Sequence, residues 1–194
     1  MQLEEVLKAR SGNACELCKG KNSLAIYEVA GGEGKQEASS LLICDKCLAQ
    51  IEKKEELDSE HWTVLSETMW SEVPGVQVAA WRMLNRLRNW SWAAESLEML
   101  YLDEETLAWA RSTGDQEDDG SVLLHKDGNG TTLHNGDTVV LTRSLDVKGS
   151  TLNARLGTVV KNIRLVADNT GQVEGKIEGQ TIVILTKFLR KQVK

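Results

Sequence analysis

The sequence predicts an α+β protein with three consecutive parts: a cysteine-bearing β-hairpin, a helical middle region and a C-terminal β-barrel. Three observations support this prediction. All four cysteines form two C-x-x-C pairs within the first 47 residues, residues 59–112 have helical periodicity, and short β-branched runs alternate with turns after residue 121. The chain has 194 residues, of which 41% are hydrophobic and 27% charged, the ordinary composition of a globular protein.

The cysteines have the layout of a metal site. Cys15 and Cys18 form one pair, Cys44 and Cys47 form the other, and 25 residues separate the pairs. A two-residue spacer lets both sulfurs of a pair face one ion, and four thiolates complete the tetrahedral coordination that Zn²⁺ prefers. Such a shell has no open position for water or substrate, so the sequence predicts one structural zinc ion.

Two other roles for these cysteines were weighed. A disulfide framework requires an oxidising compartment, but the sequence opens Met1-Gln2-Leu3-Glu4-Glu5 without the features of an export signal, so we expect a cytoplasmic protein with reduced thiols. A redox C-x-x-C motif needs one pair within a βαβ pattern, and no such pattern is found. Zinc binding is therefore favoured over a disulfide framework and over a redox motif.

The residues around the cysteines predict a zinc-ribbon or treble-clef-like element over residues 1–57. Apolar residues at helical spacing predict a helix from Met1 to Arg10. Residues 24–29 and 40–43 read as two strands joined by a glycine-rich turn at 31–34. A short helix is predicted after Cys47, with residues 52–56 as its solvated face.

Residues 58–112 are predicted to be helical. From Pro74 onward the apolar residues form one stripe (Val76, Ala79, Ala80, Met83, Leu84 and Leu87), and Arg82, Arg86 and Arg88 lie off that stripe. Further helices are predicted at about 91–102 and from Asp103 onward, where acidic residues suit a helix N-terminus. All six tryptophans lie in this region, and we expect most of them to pack in its core.

Residues 113–121 are polar and acidic, which predicts a flexible linker and the main domain boundary. The sign of the net charge also changes at this boundary. Residues 122–194 carry 11 Lys and Arg against 6 Asp and Glu, whereas residues 1–121 carry 12 against 23. We expect the two parts to have different roles.

Residues 122–194 are predicted to form a small β domain. Apolar runs at 138–141, 157–163, 175–178 and 181–185 are separated by turn residues at close intervals. Four or five short strands in so few residues suit a closed barrel, which leaves no exposed sheet edge. An SH3-like barrel is the predicted fold.

Several stretches together resemble the PhnA family. They are the C-x-x-C pair after an N-terminal helix, Tyr27-Glu28-Val29, His61-Trp62 through Pro74, Asp127-Gly128-Asn129-Gly130, Asn135-Gly136-Asp137, Val147-Lys148-Gly149-Ser150 and Gly157 through Leu165. The family is named after alkylphosphonate utilisation. The resemblance implies an N-terminal zinc-ribbon-like element and a C-terminal SH3-like domain, but it implies no defined activity.

Two enzymatic hypotheses arise, and only the first of them is kept as an alternative. A hydrolase linked to phosphonate metabolism would ordinarily use two metals bridged by His and Asp, but His61, His125 and His134 show no metal-binding spacing. The cysteine hairpin also resembles the scaffold of HNH-type nucleases, whose catalytic His lies on the hairpin strand. Residues 26–29 contain no His, so we take this as similarity of scaffold alone.

A binding role is the favoured prediction. The barrel could present a nucleic-acid surface formed by Lys148, Arg155, Lys161 and Arg164, with further cations at Lys187, Arg190 and Lys191. Phe188 is the only aromatic residue after the linker, so base stacking contributes little. We expect a binding or adaptor protein with an unknown protein or nucleic-acid partner and no membrane. An RNA- or ribosome-associated factor and docking of the basic part on the acidic part stay open as alternatives.

Overall fold

The computed structural model describes residues 2–32, 35–146 and 153–192. The chain forms two compact units, Met1–Val122 and Leu123–Lys194. None of the helices in the described ranges is long and apolar enough to cross a lipid bilayer.

The N-terminal unit begins with a helix and the predicted hairpin. Helix α1 spans Leu3–Ser11, strand β1 spans Leu24–Glu28, helix α2 spans Gln36–Ser39 and strand β2 spans Ser40–Cys44. The strands pair antiparallel, from Leu24 opposite Cys44 to Glu28 opposite Ser40, which confirms the predicted hairpin. Strand β2 is buried along its whole length and leads directly into the second cysteine pair.

Helix α3, Asp45–Ile51, starts and ends earlier than the sequence indicates. Cys47 lies inside the helix, whereas the charged run at 52–56, predicted as its solvated face, lies outside it. The reason is local. Lys53 has a φ of 59°, a left-handed conformation that cannot continue a right-handed helix.

Five more helices complete the N-terminal unit: α4 (Ser59–Trp62), α5 (Leu65–Thr68), α6 (Pro74–Arg86), α7 (Ser91–Met99) and α8 (Glu104–Arg111). The Asp103 side chain caps α8 by accepting a hydrogen bond from the Thr106 backbone N–H at 2.9 Å. Buried residues of the hairpin and of these helices form one apolar cluster. The stretches predicted as separate regions, 1–57 and 58–112, therefore share a single core.

Helix α6 is buried on nearly every face, and this changes the environment of its arginines. Arg82 and Arg86 lie off the apolar stripe, yet they are only 7% and 1% exposed. Their guanidinium groups donate to main-chain carbonyls of neighbouring elements, including Ala110 for Arg82 and Gln50 for Arg86. Since α2, α5, α7, α8 and β2 all contact α6, no side of the helix is left for solvent.

The acidic stretch predicted as a flexible linker instead lies against the N-terminal unit. Asp118 pairs with Lys53 at 2.6 Å, and its carbonyl oxygen accepts a hydrogen bond from Arg88. Gly120 has a φ of +76°, and a Cβ there would come within 2.2 Å of the Arg86 carbonyl oxygen. An ion pair, a hydrogen bond and a close backbone approach therefore hold this acidic segment in place.

The C-terminal unit consists of short strands in antiparallel sheets. One sheet has the order β10-β3-β6, from Leu189–Lys191, Val139–Leu141 and Val159–Val160. A second has the order β7-β8-β9, from Arg164–Leu165, Gln172–Ile177 and Gln180–Leu185. A third is the pair β4-β5, Leu145–Asp146 with Asn153–Ala154, and a 3-10 turn at Thr186–Phe188 precedes β10.

The two three-stranded sheets share one apolar core. A Cβ at Gly175 on β8 would lie 2.4 Å from Cγ1 of Val160 on β6, so the sheets approach closely at this point because Gly175 has no side chain. Among residues 123–146 and 153–192, the sheets are not joined into one continuous ladder. The described strands thus form a β unit without a closed barrel.

Candidate metal centre

The four cysteine sulfurs lie together. All four Sγ atoms are within 4.8 Å of one another. Sγ of Cys15 is 3.8 Å from Sγ of Cys47, and Sγ of Cys18 is 3.5 Å from Sγ of Cys44. Four sulfurs at about 2.3 Å from a central ion would be about 3.8 Å apart along each tetrahedral edge. The set therefore fits one tetrahedral metal ion, and its separations are far too long for disulfide bonds.

Main-chain N–H groups point at three of these sulfurs. The N–H of Cys18 donates to Sγ of Cys15 at 3.4 Å, and the N–H of Gly20 donates to Sγ of Cys18 at 3.4 Å. In the second pair, the N–H of Cys47 donates to Sγ of Cys44 at 3.5 Å. Donors of this kind favour the thiolate form, which is the form that binds a metal.

The crowding of the thiols shows why the cluster needs a cation. Sulfur contacts, first with Cys18 and then with Cys47, lower the pKa of the Cys15 thiol to about 2. The same contacts raise the pKa of Cys18 to about 12 and raise that of Cys47 further, in both cases chiefly through Cys15. One thiolate is thus favoured at the expense of its neighbours, and a bound cation would favour the thiolate form of all four.

A buried ion pair fastens the first cysteine pair to the hairpin. Glu16, between Cys15 and Cys18, is 6% exposed and receives two hydrogen bonds from the Arg10 guanidinium, at 2.7 and 2.9 Å. Its carboxylate also accepts from the Leu42 N–H at 2.8 Å, and its own N–H donates to the Leu42 carbonyl at 2.8 Å. Helix α1, the first cysteine pair and strand β2 are therefore joined at one residue.

His61 is the neighbour of the metal centre that sequence reasoning missed. Its Nε2 lies 3.2 Å from Sγ of Cys47, although the histidines show no metal-binding spacing in the sequence. Helix α4 places it there, and the Asp58 side chain caps that helix by accepting from the His61 N–H at 3.2 Å. Burial lowers the pKa of the imidazole, which keeps the ring neutral and able to donate one N–H to a thiolate. In the sequence, only the position of His61, 14 residues after Cys47, could have indicated that it lies near the cysteines.

The other two histidines have different surroundings. Nε2 of His125 lies 3.0 Å from the carbonyl oxygen of Val166, and Nδ1 of His134 lies 3.8 Å from a carboxylate oxygen of Asp137. Within residues 2–32, 35–146 and 153–192, the four cysteines are the only group of His, Cys, Asp and Glu side chains arranged to hold a metal ion.

Of the predicted nucleic-acid residues, Arg164 lies on β7, whereas Arg155 and Lys161 directly follow β5 and β6. Lys161 and Arg164 are exposed and line one groove together with Lys176, a residue not singled out from the sequence. Arg155 lines a neighbouring groove, to which Lys176 also contributes. Lys148 lies outside the described residues. Of the four predicted residues, Lys161 and Arg164 therefore line the same groove, and Arg155 lines the groove next to it.

These features define a class: a two-unit protein in which a four-cysteine hairpin packs into a helical core and a separate unit is built of antiparallel sheets. Residues 125–192 match the family described as the YjdM PhnA domain. Protein YjdM of Escherichia coli K12 is 37% identical over 104 residues, which cover 53% of this chain and 91% of that protein. The YjdM homolog of Haemophilus influenzae is 41% identical over 76 residues, or 39% of this chain and 59% of that protein.

Protein YjdM of Streptococcus mutans is 38% identical over 77 residues, which cover 39% of this chain and 67% of that protein. The match to the E. coli protein is longer than the C-terminal unit, Leu123–Lys194, so it extends into the N-terminal unit. The chain belongs to the YjdM/PhnA family.

Proposed function

We propose that this protein is a zinc-containing binding or adaptor protein whose metal ion is structural. The observation that carries the proposal is the closed four-sulfur set: Cys15 and Cys47 are fully buried, Cys44 is 5% exposed and Cys18 is partly buried. An ion with four sulfur ligands has no open position for substrate. The ion would therefore supply folding energy and not chemistry.

Zinc is the metal that best suits this donor set. Four thiolates in a tetrahedral arrangement favour Zn²⁺ over Mg²⁺ or Ca²⁺, which prefer oxygen ligands. Free thiols within this cluster also suit a reducing compartment such as the cytoplasm.

Metal analysis of the purified full chain tests this proposal. We expect one zinc per chain, and we expect Cys44→Ser to lower the zinc content and the melting temperature together. Ser66→Ala is a matched control, because this exposed residue lies outside the sulfur cluster. A protein without zinc, or a Cys44→Ser variant with full zinc and unchanged stability, would contradict the proposal.

A second candidate function is binding of a nucleic acid by the C-terminal unit. The observation that favours it is the convergence of Lys161, Arg164 and Lys176 on one groove, with no ion pair to a carboxylate within the part of the chain that the structure describes. Cations in such an arrangement can contact successive phosphates. The two close sheets fit the expected SH3-like barrel, which we propose as the scaffold of this groove.

To test this function, nucleic-acid binding is compared between two charge-reversal variants, one with changes inside the groove and one with changes outside it. The full chain is titrated with mixed-sequence RNA and DNA at two salt concentrations, beside a Lys161→Glu, Arg164→Glu variant and a Lys187→Glu, Arg190→Glu variant. Both variants have the same net charge, but only the first alters the groove. We expect weak, salt-sensitive binding that the first variant loses and the second largely keeps. Equal losses, or no binding at low salt, would refute a role for the groove.

A further inference from the structure

A cavity of 110 Å³, partly open to solvent, lies in the N-terminal unit, where residues of β1 and helix α6 line it. Four apolar residues line it: Val29, Ile51, Ala79 and Met83. Because an engineered apolar cavity of about 150 Å³ accommodates benzene, this volume suits a molecule of about four to six heavy atoms. None of the residues that line the cavity belongs to the four-cysteine cluster.

Two buried arginines of helix α6 also line the cavity. Arg82 and Arg86 both line it, and both are more than nine-tenths buried. Burial lowers the pKa of each, although arginine stays protonated in proteins. A buried positive charge is unfavourable unless a negative charge or well-placed acceptors compensate for it.

The chain compensates for these charges only partly. The nearest carboxylate oxygens are Oδ2 of Asp115, 3.9 Å from Arg82 Nε, and Oδ2 of Asp118, 3.5 Å from Arg86 Nε. Both separations are too long for a strong hydrogen bond. Nε of Arg86 is buried without a hydrogen-bond partner among the described residues, and the other donors of both side chains face mainly neutral carbonyl oxygens.

We propose that this cavity binds a small monocarboxylate with a short apolar tail. The carboxylate would lie against the guanidinium groups of Arg82 and Arg86, whose planar donors match the geometry of a carboxylate. The tail would lie against Ala79 and Met83. The cavity wall already includes one carboxylate of the chain, that of Asp115, which competes for Arg82.

Methyl NMR on the full-length, metal-loaded chain tests the proposal directly. The chain has four methionines. With ¹³C-methyl labelling, Met83 reports on the cavity, and Met69 is a matched control because it is equally buried but does not line the cavity. Sodium butyrate is the probe, butyramide is the neutral control of the same shape, and inorganic phosphate is the control for an oxyanion without a tail.

We expect butyrate to shift the Met83 signal saturably, to leave the Met69 signal in place, and to act at a concentration at least tenfold below that of butyramide. An unmoved Met83 signal, or equal responses to butyrate and butyramide, would overturn the proposal. A Met83 response to phosphate but not to butyrate would also overturn it, because the site would then select inorganic oxyanions.

Two variants sharpen the test. Ala79→Leu places a larger side chain in the cavity, so we expect the butyrate response to disappear. Asp115→Asn removes the competing carboxylate, so we expect several-fold tighter binding of butyrate. If Ala79→Leu disturbs folding, the Asp115→Asn variant is sufficient to test the proposal. If this variant binds butyrate with unchanged or weaker affinity, butyrate does not bind beside Arg82.

Discussion

Nε2 of His61 lies 3.2 Å from Sγ of Cys47, so a residue of the helical region completes the surroundings of a site whose four cysteines all lie between residues 15 and 47. The ring of His61 also makes an edge-to-face contact with Trp62, with 5.3 Å between ring centroids. Trp62 in turn donates from its indole N–H to the Gln50 side chain at 2.7 Å. The metal centre is thus braced by the core of the whole unit.

This contact predicts a role for His61 in retaining the metal. A ring N–H that donates to a thiolate withdraws charge from the sulfur and shields it. We expect His61→Phe to release metal to a chelator about tenfold faster, within the range of about 10 to 100-fold measured for such outer contacts. In the cobalt-substituted protein, the sulfur-to-metal charge-transfer band should also shift.

His61→Asn is the control for this prediction, because its side-chain amide can still donate a hydrogen bond. Partial recovery in this variant would separate the hydrogen bond from simple packing. Identical release rates and spectra in all three proteins would show that His61 does not act on Cys47.

Metal removal should disturb the entire N-terminal unit. Since cysteine and tryptophan side chains share one core, loss of the ion should expose Trp62 and Trp81, which are now 0% and 8% exposed. We expect a red shift of tryptophan emission on chelation, reversed by added zinc. All six tryptophans precede residue 123, so the signal reports on this unit alone. Unchanged emission after complete removal of metal would mean that the core is stable without the ion.

The ion pair of Arg10 and Glu16 should contribute to stability. Glu16→Gln leaves the Arg10 guanidinium, 23% exposed in its side chain, without its charged partner, and we expect a loss of about 2 kcal/mol in the free energy of unfolding. Glu4→Gln is the control, since its pair with Lys8 is half exposed and such pairs contribute little. Urea unfolding measures both, and equal effects of the two variants would contradict the special role of Glu16.

Close packing of the two C-terminal sheets predicts a coupled pair of substitutions. Gly175→Ala should destabilise the C-terminal unit by about 2 kcal/mol, because its Cβ would overlap Val160. Val160→Ala removes the overlapping methyl groups, so the double variant should lose less stability than the sum of the single variants. Hydrogen exchange of the β8 amides measures this. Strict additivity would show that the sheets do not meet at this point.

Acid should weaken the C-terminal unit partly through Asp127. Burial alone would raise the pKa of this carboxyl group, but N–H donors from Lys191, Thr131 and Asn129 outweigh burial and lower it. A lowered pKa in the folded state means that the stabilisation is present above the unfolded value, near 3.8, and is lost as the pH falls through the folded value.

We therefore expect Asp127→Asn to cost about 1 to 2 kcal/mol at neutral pH and to flatten the loss of stability below about pH 4. Asp168→Asn is the control, because Asp168 is exposed. A variant at position 127 with the same acid dependence as the unchanged chain would exclude this carboxyl group as a source of that dependence.

Local chemistry was sufficient to predict several features from the sequence. The C-x-x-C spacing indicated the metal centre because a two-residue spacer by itself places two sulfurs side by side. Two short apolar runs joined by a glycine-rich turn indicated the hairpin, and Pro74 marked the start of α6 because proline suits the first helical turn. The hairpin and the start of α6 depend on residues that are close together in the chain. The metal centre depends on the C-x-x-C spacing, which occurs in only a few kinds of site.

Tertiary structure decided what depends on distant neighbours. Arg82 and Arg86 lie on what periodicity indicates to be a polar face, and only the packing of other elements around α6 buries them and places them beside a cavity. The contact of His61 with Cys47 and the convergence of Lys161, Arg164 and Lys176 on one groove arise in the same way. The sequence alone determined which groups could bind a metal or a phosphate, whereas folding decided which of them meet, because such contacts depend on how remote segments pack and not on local spacing.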